Sequence, residues 1–217
     1  MAARKWKHII SAVATVSMWT VITVGALAMA VASLCAADRL SLNTTTCFPV
    51  GFYQRGNTPV SLKDGDMVYL CPPIHNASMR QAIRRRWVSH TSGGPWSCLG
   101  HLTPFLKKVV ALPGQTVLVK SNGEWIDGKK LPNSQMMTTS PGGRQVIHIP
   151  YGSYHIEPGT FWDYAPGNYA YDSRYYGPVP IGNIIGSAKP WLVIPGSQYW
   201  LQKGDMADRL QNLRNRL

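Results

Sequence analysis

Three short stretches of this 217-residue chain carry side chains that could do chemistry. Asn43-Thr44-Thr45-Thr46-Cys47-Phe48-Pro49-Val50-Gly51-Phe52-Tyr53 sets Cys47 among turn-forming residues, where a side chain can stand at a sharp bend. Phe105-Leu106-Lys107-Lys108-Val109-Val110-Ala111-Leu112-Pro113-Gly114 places two lysines within an apolar run that ends in a turn. Tyr171-Asp172-Ser173-Arg174-Tyr175-Tyr176-Gly177 puts opposite charges on either side of a hydroxyl. Acyl transfer needs a nucleophile, a group that takes its proton, and donors for the developing oxyanion. A thiol is a better acid than a hydroxyl, with a free pKa near 8.5. A lysine acts as a base near neutral pH only where apolar surroundings disfavour its charge. Phe105, Leu106, Val109 and Val110 can supply such surroundings, although a lysine opening a strand is more often a surface charge.

Other chemistries find little support. The six histidines show no His-Glu-x-x-His or similar ligand spacing, and the cysteines contain no Cys-x-x-Cys pair. A phosphate-binding loop is absent as well, so neither a metal nor a cofactor is expected. The 22 basic and 10 acidic residues give a net charge of +12, which suits an anionic membrane or a nucleic acid. The basic residues are scattered apart from Arg84-Arg85-Arg86, and no nucleic-acid module accompanies them. Membrane lipid is the expected partner, and nucleic acid is not.

The elements that must position these side chains begin with an anchor. Residues 9–37 contain no charged side chain, with Arg4, Lys5 and Lys7 before them and Asp38 after. That is enough for the roughly 20 residues of a membrane span, with room for tilt. The basic flank predicts a cytoplasmic N-terminus (residues 1–8) and an exterior domain beyond residue 38. A cleaved signal peptide is the alternative, since Ala36-Ala37 resembles a cleavage site, but the apolar stretch far exceeds the usual length of roughly 7–15 residues.

Beyond the anchor, 16 prolines, 20 glycines and short β-like runs predict a mainly β domain of antiparallel, coiled, barrel-like sheets. Strands are expected at 67–70, 108–112, 116–120, 124–126, 129–131, 146–149, 161–164 and 184–192, with Asp127-Gly128 as a two-residue hairpin turn. A helix is expected over 76–88, capped by Asn76, with Met79, Ile83 and Trp87 on one face and Arg80, Arg84 and Arg85 on the other. That basic face is either solvated or set against a membrane surface. Residues 201–217 form a basic tail with Leu210, Leu213 and Leu217 on one side. In an oxidising compartment Cys71 and Cys98 could close a loop worth roughly 3 kcal/mol, leaving Cys47 free. Pairing of Cys47 itself with Cys71 or Cys98 stays open, because connectivity is not readable from spacing.

Taken in order behind an apolar anchor, these boxes resemble the signal peptidase I family, whose members are serine peptidases with a lysine base. The closer likeness is to its conjugative-transfer, TraF-type branch, whose Ser-x-Pro-x-Gly-x-Tyr motif reads Cys47-Phe48-Pro49-Val50-Gly51-Phe52-Tyr53 here. Cys47 takes the serine's place. The resemblance extends from residue 9 to about 195 and implies a signal peptidase-like catalytic domain over 38–200 with an insertion at 72–104. It implies Lys107 as the base and Thr45 as an oxyanion-hole donor. Asp172 and Arg174 become a supporting ion pair, and Ser173 a hydrogen-bond partner of the lysine ammonium. Gly65-Asp66-Met67-Val68 matches a further structural box, and comparably placed cysteines favour the Cys71–Cys98 disulfide.

The function implied is a single-pass peptidase of the bacterial inner membrane with a periplasmic catalytic domain. Its substrates would be pilin-like precursors in conjugation or type IV secretion, alongside other proteins of that apparatus. The branch also joins the new pilin C-terminus to the amino end, and a thioester at Cys47 would favour that aminolysis over hydrolysis. Two alternatives stand beside this expectation: a general leader peptidase, and a catalytically silent structural component of a secretion channel.

Overall fold

The computed structural model describes residues 18–33, 39–94, 96–167 and 169–199. The chain divides into two units, residues 1–40 and 41–217. In the first, helix α1 covers residues 18–33. Its apolar side chains, among them Trp19, Val21, Val24, Leu27 and Met29, are exposed all round. The Thr23 hydroxyl donates to the Trp19 carbonyl at 2.9 Å and so is satisfied within the helix itself. Among the described residues no helix is long and apolar enough to cross a membrane. The anchor expected over 9–37 falls only partly within them, and the basic tail over 201–217 lies outside them.

The second unit is built from antiparallel strands. They are β1 (Leu40–Asn43), β2 (Gly51–Arg55), β3 (Met67–Leu70), β4 (Phe105–Ala111), β5 (Thr116–Lys120) and β6 (Gly123–Ile126). Then follow β7 (Lys129–Lys130), β8 (Gly152–His155), β9 (Thr160–Tyr164), β10 (Val179–Pro180) and β11 (Ile184–Val193). Helix α2 (Ala77–Arg84) lies between β3 and β4, and the short α3 (Ser173–Tyr176) between β9 and β10. One sheet runs β1-β2-β11-β3-β4-β9-β10 and the other β7-β6-β5-β8. The larger sheet is open, with β1 and β10 at its edges.

Asp127 and Gly128 both take positive φ between β6 and β7, the geometry that a two-residue hairpin turn requires. At Gly51 the need for glycine is steric. A Cβ there would lie 2.3 Å from the Leu192 carbonyl oxygen, where β2 meets β11.

Three apolar clusters back the sheets. Val68, Leu70, Val109 and Phe161 pack with Met79 and Ala82 of α2. Ala111, Val117, Val119, Ile156 and Trp162 fill the space by the smaller sheet. A third cluster, Phe48, Tyr53, Tyr69, Ala165 and Ala170, touches Cys47. Each large apolar side chain so buried contributes roughly 1.5–3 kcal/mol.

Two expectations need correction. Residues 146–149 form no strand. The Ile147 N–H instead donates to the Gln81 side chain at 2.8 Å, while Gln81 Nε2 donates to the Gln145 carbonyl at 3.0 Å, so this segment is tied to α2. The helix expected to reach Val88 stops at Arg84. Arg86 takes a left-handed φ of 56°, and the N–H groups of Arg86 and Trp87 close back onto the carbonyls of Ile83 and Ala82. This is a Schellman-type ending, and it turns Trp87 off the helix axis. Asn76 caps the other end, its side chain accepting from the Ser78 N–H. The insertion is closed by a disulfide between Cys71 and Cys98, with Cys47 free.

Candidate active site

Cys47 stands in the turn between β1 and β2, half-buried. One side chain organises that turn. Asn43 Nδ2 donates to the carbonyls of Thr45, Phe48 and Pro49 at 3.0, 3.3 and 3.1 Å. Its Oδ1 accepts from the Thr45 hydroxyl at 2.7 Å and from the Thr45 N–H at 3.2 Å. Phe48 is buried, the Tyr53 hydroxyl donates to the Pro49 carbonyl, and the Val50 N–H donates to Ser197 Oγ. Thr45, the expected oxyanion donor, is exposed beside Cys47, and its hydroxyl proton points to Asn43.

Strand alternation separates the two lysines. Lys107 shares its face of β4 with the buried Val109 and is only 4% exposed, whereas Lys108 points outward. The turn at Gly65-Asp66 braces this strand: the Gly65 N–H donates to the Val109 carbonyl and the Val109 N–H to the Asp66 carbonyl. The Lys107 ammonium lies 5.2 Å from the centroid of the Phe105 ring. Among the described residues no hydrogen bond or ion pair within 4.0 Å engages it.

Behind Lys107 lies a buried polar cluster. Across the β4–β9 ladder Val109 pairs with Asp163, which puts Asp163 diagonal to Lys107 on the same face. Asp163 Oδ1 accepts from the Ser173 hydroxyl at 2.6 Å, and Oδ2 accepts from the Tyr176 hydroxyl at 2.9 Å. The Ser173 oxygen in turn accepts the Asp163 N–H at 3.0 Å. Ser173 was expected on the lysine ammonium; its hydroxyl instead bridges the backbone and carboxylate of Asp163. Burial pushes the Asp163 carboxyl up to about 7, aided by the Asp172 charge and opposed by Lys107 and the two hydroxyls.

Asp172 and Arg174 are both fully buried and joined twice, Nε to Oδ1 and Nη2 to Oδ2, each at 2.7 Å. The guanidinium also donates to the carbonyls of Asn133, Gln135, Ala165, Gly167 and Ala170. Burial alone disfavours its charge, but Asp172 outweighs that and holds it protonated. Asp172 Oδ2 further accepts the Ala165 N–H, just beyond β9. A buried charge left without its partner is costly, so the pair, once formed, holds Ala165, Gly167 and Ala170 in place.

Cys47, Thr45, Asn43 and Lys107 line one cavity of about 630 Å³. The insertion supplies another wall through Trp87, Val88 and Ser89, and Tyr169 and Tyr171 a further one. Asp172, Ser173 and Arg174 lie behind this surface rather than on it. No catalytic motif in the sequence marks Asn43, Asp163 or Trp87. The Asn before a threonine run carries a turn signal that could have flagged Asn43. In sequence Asp163 is one residue of an ordinary strand pattern.

The family follows from comparison with known proteins. The pattern of the signal peptidase family, peptidase S26, matches residues 6–192, and the chain belongs to that family. It is 33% identical over 149 residues to the conjugal transfer protein TraF of Agrobacterium fabrum (strain C58), covering 69% of this chain and 80% of that protein. It is 30% identical over 152 residues to a plasmid transfer protein TraF of Escherichia coli, covering 70% and 81%. A signal peptidase I structure from Enterococcus faecalis V583 aligns over 58% of this chain and 96% of its own, at 14% identity and a TM-score of 0.31.

Proposed function

We propose that this chain is a membrane-anchored peptidase that cleaves a pilin-like precursor in conjugative transfer, by acyl transfer through Cys47 with Lys107 as base. The observation that carries the reading is that Cys47 and the buried Lys107, which no ion pair engages among the described residues, face one cavity. In the first step Cys47 Sγ attacks the scissile carbonyl carbon while the thiol proton passes to Lys107. The Cys47 N–H, and the Thr45 hydroxyl once turned from Asn43, donate to the oxyanion. The C–N bond then breaks, Lys107 protonates the leaving amine, and a thioester remains on Cys47. Water or an amine attacks that thioester, gives its proton to Lys107, and expels the thiolate, which Lys107 reprotonates.

A thioester favours amines over water as acceptors, so joining the new C-terminus to the precursor's own amino end is the expected second step. Conjugation as the setting rests on the TraF names of the relatives. The anchor rests on the uncharged stretch over 9–37 and on the apolar surface of α1, which suits lipid. The same stretch and its basic flank support reading the catalytic domain as periplasmic, at a bacterial inner membrane.

The test is the intact mass of a pilin precursor coexpressed with the chain and with its Cys47→Ala and Cys47→Ser variants. Cys47-dependent cleavage is the expected result, and a product one water lighter than the hydrolysed one marks end-joining. Cleavage by Cys47→Ser alone would mean the thiol silences the site and would overturn the mechanism.

A further inference from the structure

A second cavity of about 210 Å³ adjoins the first and shares Trp87, Tyr169 and Tyr171 with it. Met137, Val146 and Tyr175 complete most of its wall, and among the described residues no charged side chain lines it. At this volume it is smaller than the usual range for a whole small-molecule ligand and suited to one side chain. We propose that it is a specificity subsite of the same groove, which takes an aromatic or large aliphatic residue of the substrate at one position near the bond opened by Cys47. The proposal rests on the peptidase reading above.

The walls are built before any ligand arrives. Tyr171 and Tyr175 stack with centroids 4.6 Å apart and planes 6° from parallel. The Tyr171 hydroxyl donates to the Ser78 carbonyl at 2.8 Å, and the Tyr175 hydroxyl accepts the Met137 N–H at 3.0 Å. With both hydroxyls engaged, the rings are held as apolar surfaces. Trp87 is brought there by the left-handed turn at Arg86, within the insertion that the disulfide closes. The segment carrying Val146 is tied by Gln81 to the same helix. A preformed aromatic wall loses little conformational entropy on binding, and an apolar ring entering it leaves water without losing hydrogen bonds. A charged side chain would enter without a partner, which is costly.

Occupancy by substrate follows from continuity. The residues shared by the two cavities form one surface leading from Lys107 and Cys47 to the aromatic wall, so a peptide held at the first reaches the second with a neighbouring side chain.

The test uses the 217-residue chain in detergent micelles and synthetic peptides that span the cleavage site found in the precursor, in which phenylalanine or serine is placed at each position around that site in turn. The readout is the ratio of kcat/KM for the phenylalanine and serine peptides, which is independent of the fraction of active protein. One position should favour phenylalanine by roughly 10- to 100-fold. Val146→Trp and, separately, Met137→Trp fill the cavity and should bring that ratio close to one. Absence of any preferred position, or a preference that survives both substitutions, overturns the proposal. Should no peptide be cleaved in a Cys47-dependent way, the peptidase reading fails on its own, and calorimetric binding of the same series to Cys47→Ala decides the subsite. Tighter binding of one phenylalanine peptide, lost on adding Val146→Trp, supports it; equal binding, or none, overturns it.

Discussion

Gly167 lies directly against Cys47: a Cβ on Gly167 would sit 3.3 Å from the Cys47 Cα and 3.5 Å from the Thr46 carbonyl oxygen. The Gly167 carbonyl in turn accepts from Arg174, so the buried arginine reaches the nucleophile's backbone through one residue. Gly167→Ala should therefore shift the Cys47 turn by a few tenths of an ångström. Misplacement of about 1 Å can cost ~100-fold, so a loss of about tenfold in kcat with little change in Tm is expected. Steady-state kinetics beside a thermal melt would check this, and unaltered kcat would show that the turn does not depend on this contact.

Arg174→Ala removes one partner of a fully buried ion pair along with its donation to five carbonyls. Such a break typically costs about 3–5 kcal/mol, because Asp172 is left charged without water. Denaturant unfolding should show a loss of that size. Arg174→Lys should recover only part of it, since an ammonium cannot match the planar, two-pronged geometry.

The pH dependence of stability should carry the mark of Asp163. Its carboxyl titrates near 3.8 when unfolded and is raised to about 7 in the fold, first by burial and then by Asp172. The folded state thus binds the extra proton between those values. Its contribution is fully present below about 4 and is lost as pH rises through about 7. Tm measured from pH 5 to pH 8 should fall, and Asp163→Asn should flatten the slope. Glu124, raised for the same reason and also facing Asp172, leaves a residual slope of the same sign.

Thiol reactivity separates an active Cys47 from an inert one. In a Cys35→Ser background, iodoacetamide should modify Cys47 in preference to the disulfide-bonded Cys71 and Cys98. Lys107→Met should slow that reaction at neutral pH, because the group that takes the thiol proton is gone. Equal alkylation rates followed by mass spectrometry would show that the two side chains do not communicate.

Opening the insertion should cost stability and shape together. Replacing both Cys71 and Cys98 by Ser removes the closure of that loop, at a cost of about 2–5 kcal/mol in thermal or denaturant unfolding. Trp87 fluorescence should change in the same variant, since the insertion carries that side chain to the cavity.

Features that depend on a few neighbouring residues could be read from the chain alone. The turn around Cys47, the apolar flanks of Lys107, the hairpin at Asp127-Gly128, the Asn76 cap and the strands at 67–70 and 116–120 all follow from local chemistry. The boxes in order behind an apolar stretch were enough to point to the family. Tertiary structure alone decided what faces what. It chose Cys71–Cys98 among the possible pairings and drew residues 146–149 away from a sheet and onto Gln81. It turned Trp87 from a helix face into a wall of the cavity. It also made Asp163, rather than Lys107, the partner of Ser173. These outcomes depend on the register of β4 against β9 and on where the insertion docks, and both are set by the packing of the whole core.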